Sequence, residues 1–164
     1  MTCSVDELSP APAGIIDAYL RGIDELFAAV AGMTADQLRA RPIAGKWSTL
    51  EVVCHIADCE QFFADRMKRT IAMERPLLMG ADGSIYPEPL SYQQRDIQEE
   101  LDLVAATRRQ LARCLSLVPA NAWQRTAVHS EAGLVTLLQL LQHSVNHLDD
   151  HLVYIAEKRA AMNC

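Results

Sequence analysis

Residues 142–155 read QHSVNHLDDHLVYI, with His143, His147 and His151 spaced four apart in a run otherwise rich in Leu, Val and Ile. A period of four matches the α-helix, where residues i, i+4 and i+8 stack on one face about one turn apart. Thr136-Leu-Leu-Gln139, just upstream, is a capping box, in which the Thr oxygen accepts an orphan N–H and the Gln reaches back. The stretch therefore predicts one long helix, from Thr136 to about Met162.

The same signals recur outward along the chain. Ser48-Thr-Leu-Glu51 is a second capping box and opens a helix to about Met73, before Arg75-Pro76. Ser91-Tyr-Gln-Gln94 opens a third, ended near Leu117 by Pro119, with Ile97, Leu101, Val104, Thr107 or Arg108, and Leu111 as its stripe. Ile16, Leu20, Ile23, Phe27 and Val30 trace a first helix over about Ala13–Ala31, behind Pro10 and Pro12 and before Gly32. Thr34-Ala-Asp-Gln37 caps a short turn over 35–40. Residues 75–90 and 119–135 read as irregular links, the first long enough to cover a pocket. Four long helices without a strand pattern define an all-α, four-helix bundle.

Composition narrows the function classes. A chain of 164 residues suits a single domain, with its core over about 14–160. Apolar residues are 50%, charged residues 22% and the formal charge is −6, which argues against nucleic acid as a partner. Arg66, Lys68 and Arg69 read as a solvated helix face. The acidic MTCSVDELSP start has no apolar signal core, and no apolar run is long enough to span a bilayer, so a cytoplasmic protein without membrane contact is expected. Five cysteines, Cys3, Cys54, Cys59, Cys114 and Cys164, show no C-x-x-C spacing and read as reduced thiols.

The histidines carry the chemistry. The spacing suits a metal site, a surface or interface stripe, or a hydrogen-bonded core; three buried unpaired imidazoles would cost free energy that a metal ion removes. The stripe spans two turns, about 12 Å, so one ion takes only an adjacent pair from it. A further ligand must come from another helix, where His55 is the candidate. Cys59, four residues on, is a potential fourth ligand or a core thiol. Glu60, Asp149 and Asp150 are candidate acceptors for ligand N–H groups. Three neutral nitrogens suit Zn, Ni, Fe or Co better than Mg or Ca. Neither the Glu-x-x-His pair of di-iron bundles nor a zincin His-Glu-x-x-His occurs.

Two blocks extend this reading. GKWSTLEVVCHIADCE (45–60) resembles the "GKWS…E…HL…E" block of the DinB-like superfamily (the DinB/YfiT group). GLVTLL (133–138), continuing into HLDDHLVYI (147–155), resembles that group's "G…TL…H…H…I" block. The resemblance covers about residues 14–160. It implies an up-down-down-up bundle with a divalent-metal site formed by His55, His147 and His151, and His143 one turn away as an acid/base or supporting group. Characterised relatives include bacillithiol- and mycothiol-using S-transferases and a mycothiol-dependent maleylpyruvate isomerase, and homodimers are common. Cys59 departs from the group's pattern. The resemblance thus implies a transferase that activates a low-molecular-weight thiol toward an electrophilic small molecule. A metal-dependent hydrolase and a non-catalytic stress-response or binding module are the alternatives.

Overall fold

The structure, a computed structural model, describes residues 13–163. Pro10, Pro12, Cys3 and Cys164, named above, lie outside the described residues. The elements run α1 (Ala13–Val30), α2 (Ala35–Arg39), α3 (Thr49–Ala72), β1 (Leu77–Leu78), α4 (Ile97–Leu117), β2 (Thr126–His129), β3 (Gly133–Thr136) and α5 (Leu137–Met162), with short 3-10 turns between.

Side-chain contacts give the direction of each long helix. Arg159 near the end of α5 donates to the Ala29 and Ala31 carbonyls at the end of α1, so these two helices run together. Asp58 meets Arg95 just ahead of α4, and Gln61 donates to Thr107 at 2.9 Å, so α3 and α4 also run together. α3 opposes α5, because His55 meets His151 while Phe63 meets His143. α1 opposes α4, since Ile16 and Leu20 face Arg109 to Ser116. The result is an up-down-down-up four-helix bundle. Parallel α3 and α4 require the connection over 73–96 to return along the bundle's length.

Ser48 and Thr136 cap α3 and α5 through the expected reciprocal bonds, and Thr34 caps α2 in the same way. The third helix corrects its expected start. Ser91 adopts a left-handed φ of 51° and makes no side-chain cap, while Asp96 accepts from the Gln98 and Glu99 N–H groups and opens α4 at Ile97. The physical reason is Tyr92, which is fully buried and donates to Asp58 at 2.6 Å. That anchor forces a tight turn where a helix was expected. The stripe of α1 is also displaced: Ile16, Tyr19, Ile23, Leu26 and Val30 are buried, with Leu20 and Phe27 only partly so. The irregular links hold a small sheet of order β1-β2-β3, parallel then antiparallel, with Leu77 opposite Val128 and Val128 opposite Leu134. Strands of two to four residues are too short to leave a periodic signal.

The core is two apolar clusters, one holding Tyr19, Phe63, Leu111 and Leu141, the other Leu26, Val53, Val104 and Leu148. A polar layer sits at their junction. Arg108 on α4 is 1% exposed. It pairs with Glu60 of α3 at 2.8 Å and donates to the carbonyls of Tyr19 on α1 and Ser144 on α5. The Tyr19 and Ser144 hydroxyls donate to the same carboxylate. Gly22 makes room, since a Cβ there would lie 2.5 Å from Arg108 Nη1. Removing one partner of a buried pair strands the other. Arg108→Met should therefore destabilise the protein by about 3–5 kcal/mol in urea unfolding. The double variant Arg108→Met/Glu60→Leu should recover most of that loss.

Candidate metal centre

Two capped helices present the site. The Ser48 box starts α3 firmly, and Arg41 clamps its Glu51 with Nε 2.9 Å from Oε2. His55 stands on the inner face of that helix, 8% exposed, with the Trp47 ring 5.1 Å away between centroids. α5 runs antiparallel beside it and supplies His147 and His151.

The structure brings these three rings together. Nε2 of His147 lies 3.2 Å from Nε2 of His55 and 3.2 Å from Nε2 of His151. Metal–nitrogen bonds of about 2.0–2.1 Å would place ligand nitrogens about 3.3 Å apart in tetrahedral and about 2.9 Å apart in octahedral geometry. The two separations from His147 lie between these values. Gly83 packs directly on the far edge of the His55 ring, where a Cβ would lie 2.8 Å from Cε1 and 3.0 Å from Nδ1, and Nε2 is the nitrogen that faces His147. Burial, then the neighbouring imidazoles, push His147 down to about 3. Burial, then His55 and Lys158, push His151 down to about 4. All three rings are therefore neutral near pH 7, the state a metal requires. His151 Nδ1 is buried with no hydrogen-bond partner among the described residues.

Cys59 competes for a place. Its Sγ lies 3.6 Å from His55 Nε2, and His55, Cys59 and His147 also form a group with ligand atoms within 4.8 Å. Burial, then Asp58 and Glu60, push this thiol up to about 12, so it holds its proton where the imidazoles have none to lose. The described residues fit a divalent transition metal that accepts imidazole nitrogen, with a thiol in reach.

Other expected contributors lie elsewhere. Glu60 is consumed by the Arg108 layer and does not support a histidine. Asp149 and Asp150 are exposed. His143 is one turn from the centre, its ring edge-on to Phe63 at 5.2 Å and 6.4 Å from His147. It lines a cavity of about 610 Å³ that extends from His55 and His147 along the groove between α3 and α5. Arg66 lines the same cavity, which corrects its reading as part of a solvated face. Its position eleven residues after His55, about three turns, was the available signal. His129 and Gly83 also border the cavity, and neither carries a local pattern that marks it. A comparable cavity of about 640 Å³ near Arg41 and Gln93 contains no cluster of histidine or cysteine.

A helical bundle whose antiparallel helices converge three neutral imidazoles beside a cavity is a metal-site scaffold. The chain belongs to the DinB superfamily, which residues 18–155 match. It is 24% identical, over 145 residues, to a protein of Oceanobacillus iheyensis provisionally named a metal-dependent hydrolase, covering 86% of this chain and 84% of that one. Its fold matches that of YfiT from Bacillus subtilis with a TM-score of 0.85, at 23% identity, over 99% of this chain and 91% of that chain. YfiT is provisionally described as a metal-dependent hydrolase with an unusual four-helix bundle topology.

Elemental analysis of untagged protein should find about one transition-metal ion per chain, absent from His55→Ala and from His147→Ala. The ion-free protein should also respond to acid. Unfolded histidine titrates near about 6.5, so between that pH and 4 the unfolded chain takes up protons that the buried rings refuse. This contribution to stability is complete above about 6.5 and declines as pH falls. The urea midpoint of chelator-treated protein should fall between pH 7 and 5, and fall less in His147→Ala.

Proposed function

We propose that this protein is a metal-dependent enzyme that activates a small nucleophile for attack on an electrophilic small molecule. The ion, Zn or Ni first with Fe or Co in the same donor range, would be held by His55, His147 and His151. The observation that carries this reading is His147 Nε2, which lies 3.2 Å from Nε2 of His55 and 3.2 Å from Nε2 of His151 beside a cavity of about 610 Å³.

When bound, such an ion supplies Lewis acidity, lowering the pKa of a thiol or a water next to it. The protein does the rest. Three side chains on two helices leave room for exchangeable ligands. Partial desolvation beside Phe63, then the charge of Arg66, lower the pKa of His143, which is otherwise exposed. It is therefore a proton acceptor near neutral pH and takes the proton that the nucleophile gives up. Phe62, Phe63, Val135 and Leu140 make one wall of the cavity apolar. The loop through Ala81 and Gly83 borders the cavity.

A low-molecular-weight thiol is our first choice of nucleophile, because a soft thiolate suits an imidazole-bound Zn or Ni ion beside an apolar wall. Water is the second, favoured by the hydrolase descriptions of both relatives. The reading needs a small-molecule substrate and no nucleic acid. Among the described residues no helix is long and apolar enough to cross a membrane.

Zinc- and nickel-loaded protein should be assayed with glutathione, coenzyme A, bacillithiol and mycothiol against a fluorogenic electrophile, and with p-nitrophenyl acetate for hydrolysis. Thiol-dependent turnover should disappear in His147→Ala. It should fall about 100-fold in His143→Gln, with loss of the acidic limb of the pH–rate profile. Turnover of the ester alone would assign the hydrolase reading. Full metal content with no turnover of either would leave a non-catalytic metal-binding module.

A further inference from the structure

The cavity has a second pole. Arg66 stands about three turns beyond His55 on the same face of α3, and helical side chains lean back toward the N-terminus, here toward the histidines. Its Nη2 donates to the Met79 carbonyl at 2.6 Å, which fixes the guanidinium at the cavity wall. That bond uses one of five N–H donors. Among the described residues no carboxylate lies within ion-pair distance of Arg66, although the protein pairs Arg41, Arg95 and Arg108 with carboxylates. Two further groups border the same end. His129 Nδ1 accepts the backbone N–H groups of Glu131 and Ala132, so its neutral ring carries a proton on Nε2. His143 lies between this end and the triad. Phe63, Val135 and Leu140 form an apolar stretch of the lining.

We propose that the cavity selects small molecules with a carboxylate at one end, bound by Arg66, an apolar middle, and a reacting end directed at the histidine centre. A planar carboxylate matches the guanidinium fork. Glu131 also lines this end, its carboxylate folded over Gly80, and its charge disfavours a dianion such as a phosphate monoester. The reacting end rests on the function proposed above; the anion pole rests on Arg66.

Zinc-loaded protein should be titrated at pH 7.5 with 3-phenylpropanoate and with the neutral 3-phenylpropanamide, with zinc content measured on each sample. The acid should bind about tenfold more tightly than the amide. Arg66→Gln should remove that preference, so that acid and amide bind alike, and Arg66→Lys should restore part of it. Equal binding of acid and amide by the wild type overturns the proposal, a comparison that does not depend on any variant folding. A preference that survives Arg66→Gln also overturns it, because the anion would then sit on the metal. Tighter binding of phenyl phosphate than of the acid overturns the carboxylate assignment. An acid preference in protein that takes up no zinc would sink the metal reading and leave this one standing; full zinc with no preference would do the reverse.

Discussion

The buried guanidinium of Arg108 is the constraint on which the bundle's geometry depends. Taking a charge out of water costs several kcal/mol, and only close partners offset it. Arg108 finds them on the other three long helices: the Glu60 carboxylate and the carbonyls of Tyr19 and Ser144. Each anchor is tied to a register. Glu60 follows Cys59, and Ser144 lies three residues before His147. Sliding α5 by one turn, about 5.4 Å, would unpair Arg108 and separate His147 from His55 together. Apolar side chains tolerate such a slip far better than a buried ion pair does. The polar layer thus fixes the distance between imidazoles that lie on the bundle's other interface.

The site divides its tasks between kinds of structure. The three converging imidazoles stand on capped helices, where rotamers are locked by packing. The cavity beyond them is closed by segments that owe little to helix packing, including Gly83, His129 and Ala132. Gly83 belongs to both, since it packs so closely on the His55 ring that a Cβ there would sit 2.8 Å from it. The loop that borders the cavity is therefore also packed against one of the three rings.

Much of this was legible in the sequence where local chemistry decided the outcome. Ser48, Thr136 and Thr34 cap their helices as their spacing says, and the period of four at His143, His147 and His151 places them on one face. Reading failed where a distant partner decided. Ser91-x-x-Gln94 carries a capping pattern, yet burial of Tyr92 against Asp58 takes that stretch for a turn and leaves Asp96 to start the helix. Tyr19 replaces Leu20 in the core because its hydroxyl finds Glu60 across the bundle. Glu60 resembled a support for the histidines only until its true partner, an arginine 48 residues away, was visible. Arg66 shares the His55 face of α3, but the charges of Lys68 and Arg69 beside it give the local pattern of a solvated surface.

The chain separation of the converging rings has one more consequence. His55 and His147 are 92 residues apart. An ion shared between them would act as a cross-link closing most of the chain into a loop, with a stabilising effect on the folded state of the kind a long-range disulfide provides. On this view the metal is a staple as well as a reagent. Because its second attachment lies in α5, a growing chain would hold His55 with no partner until nearly all of the bundle had been made.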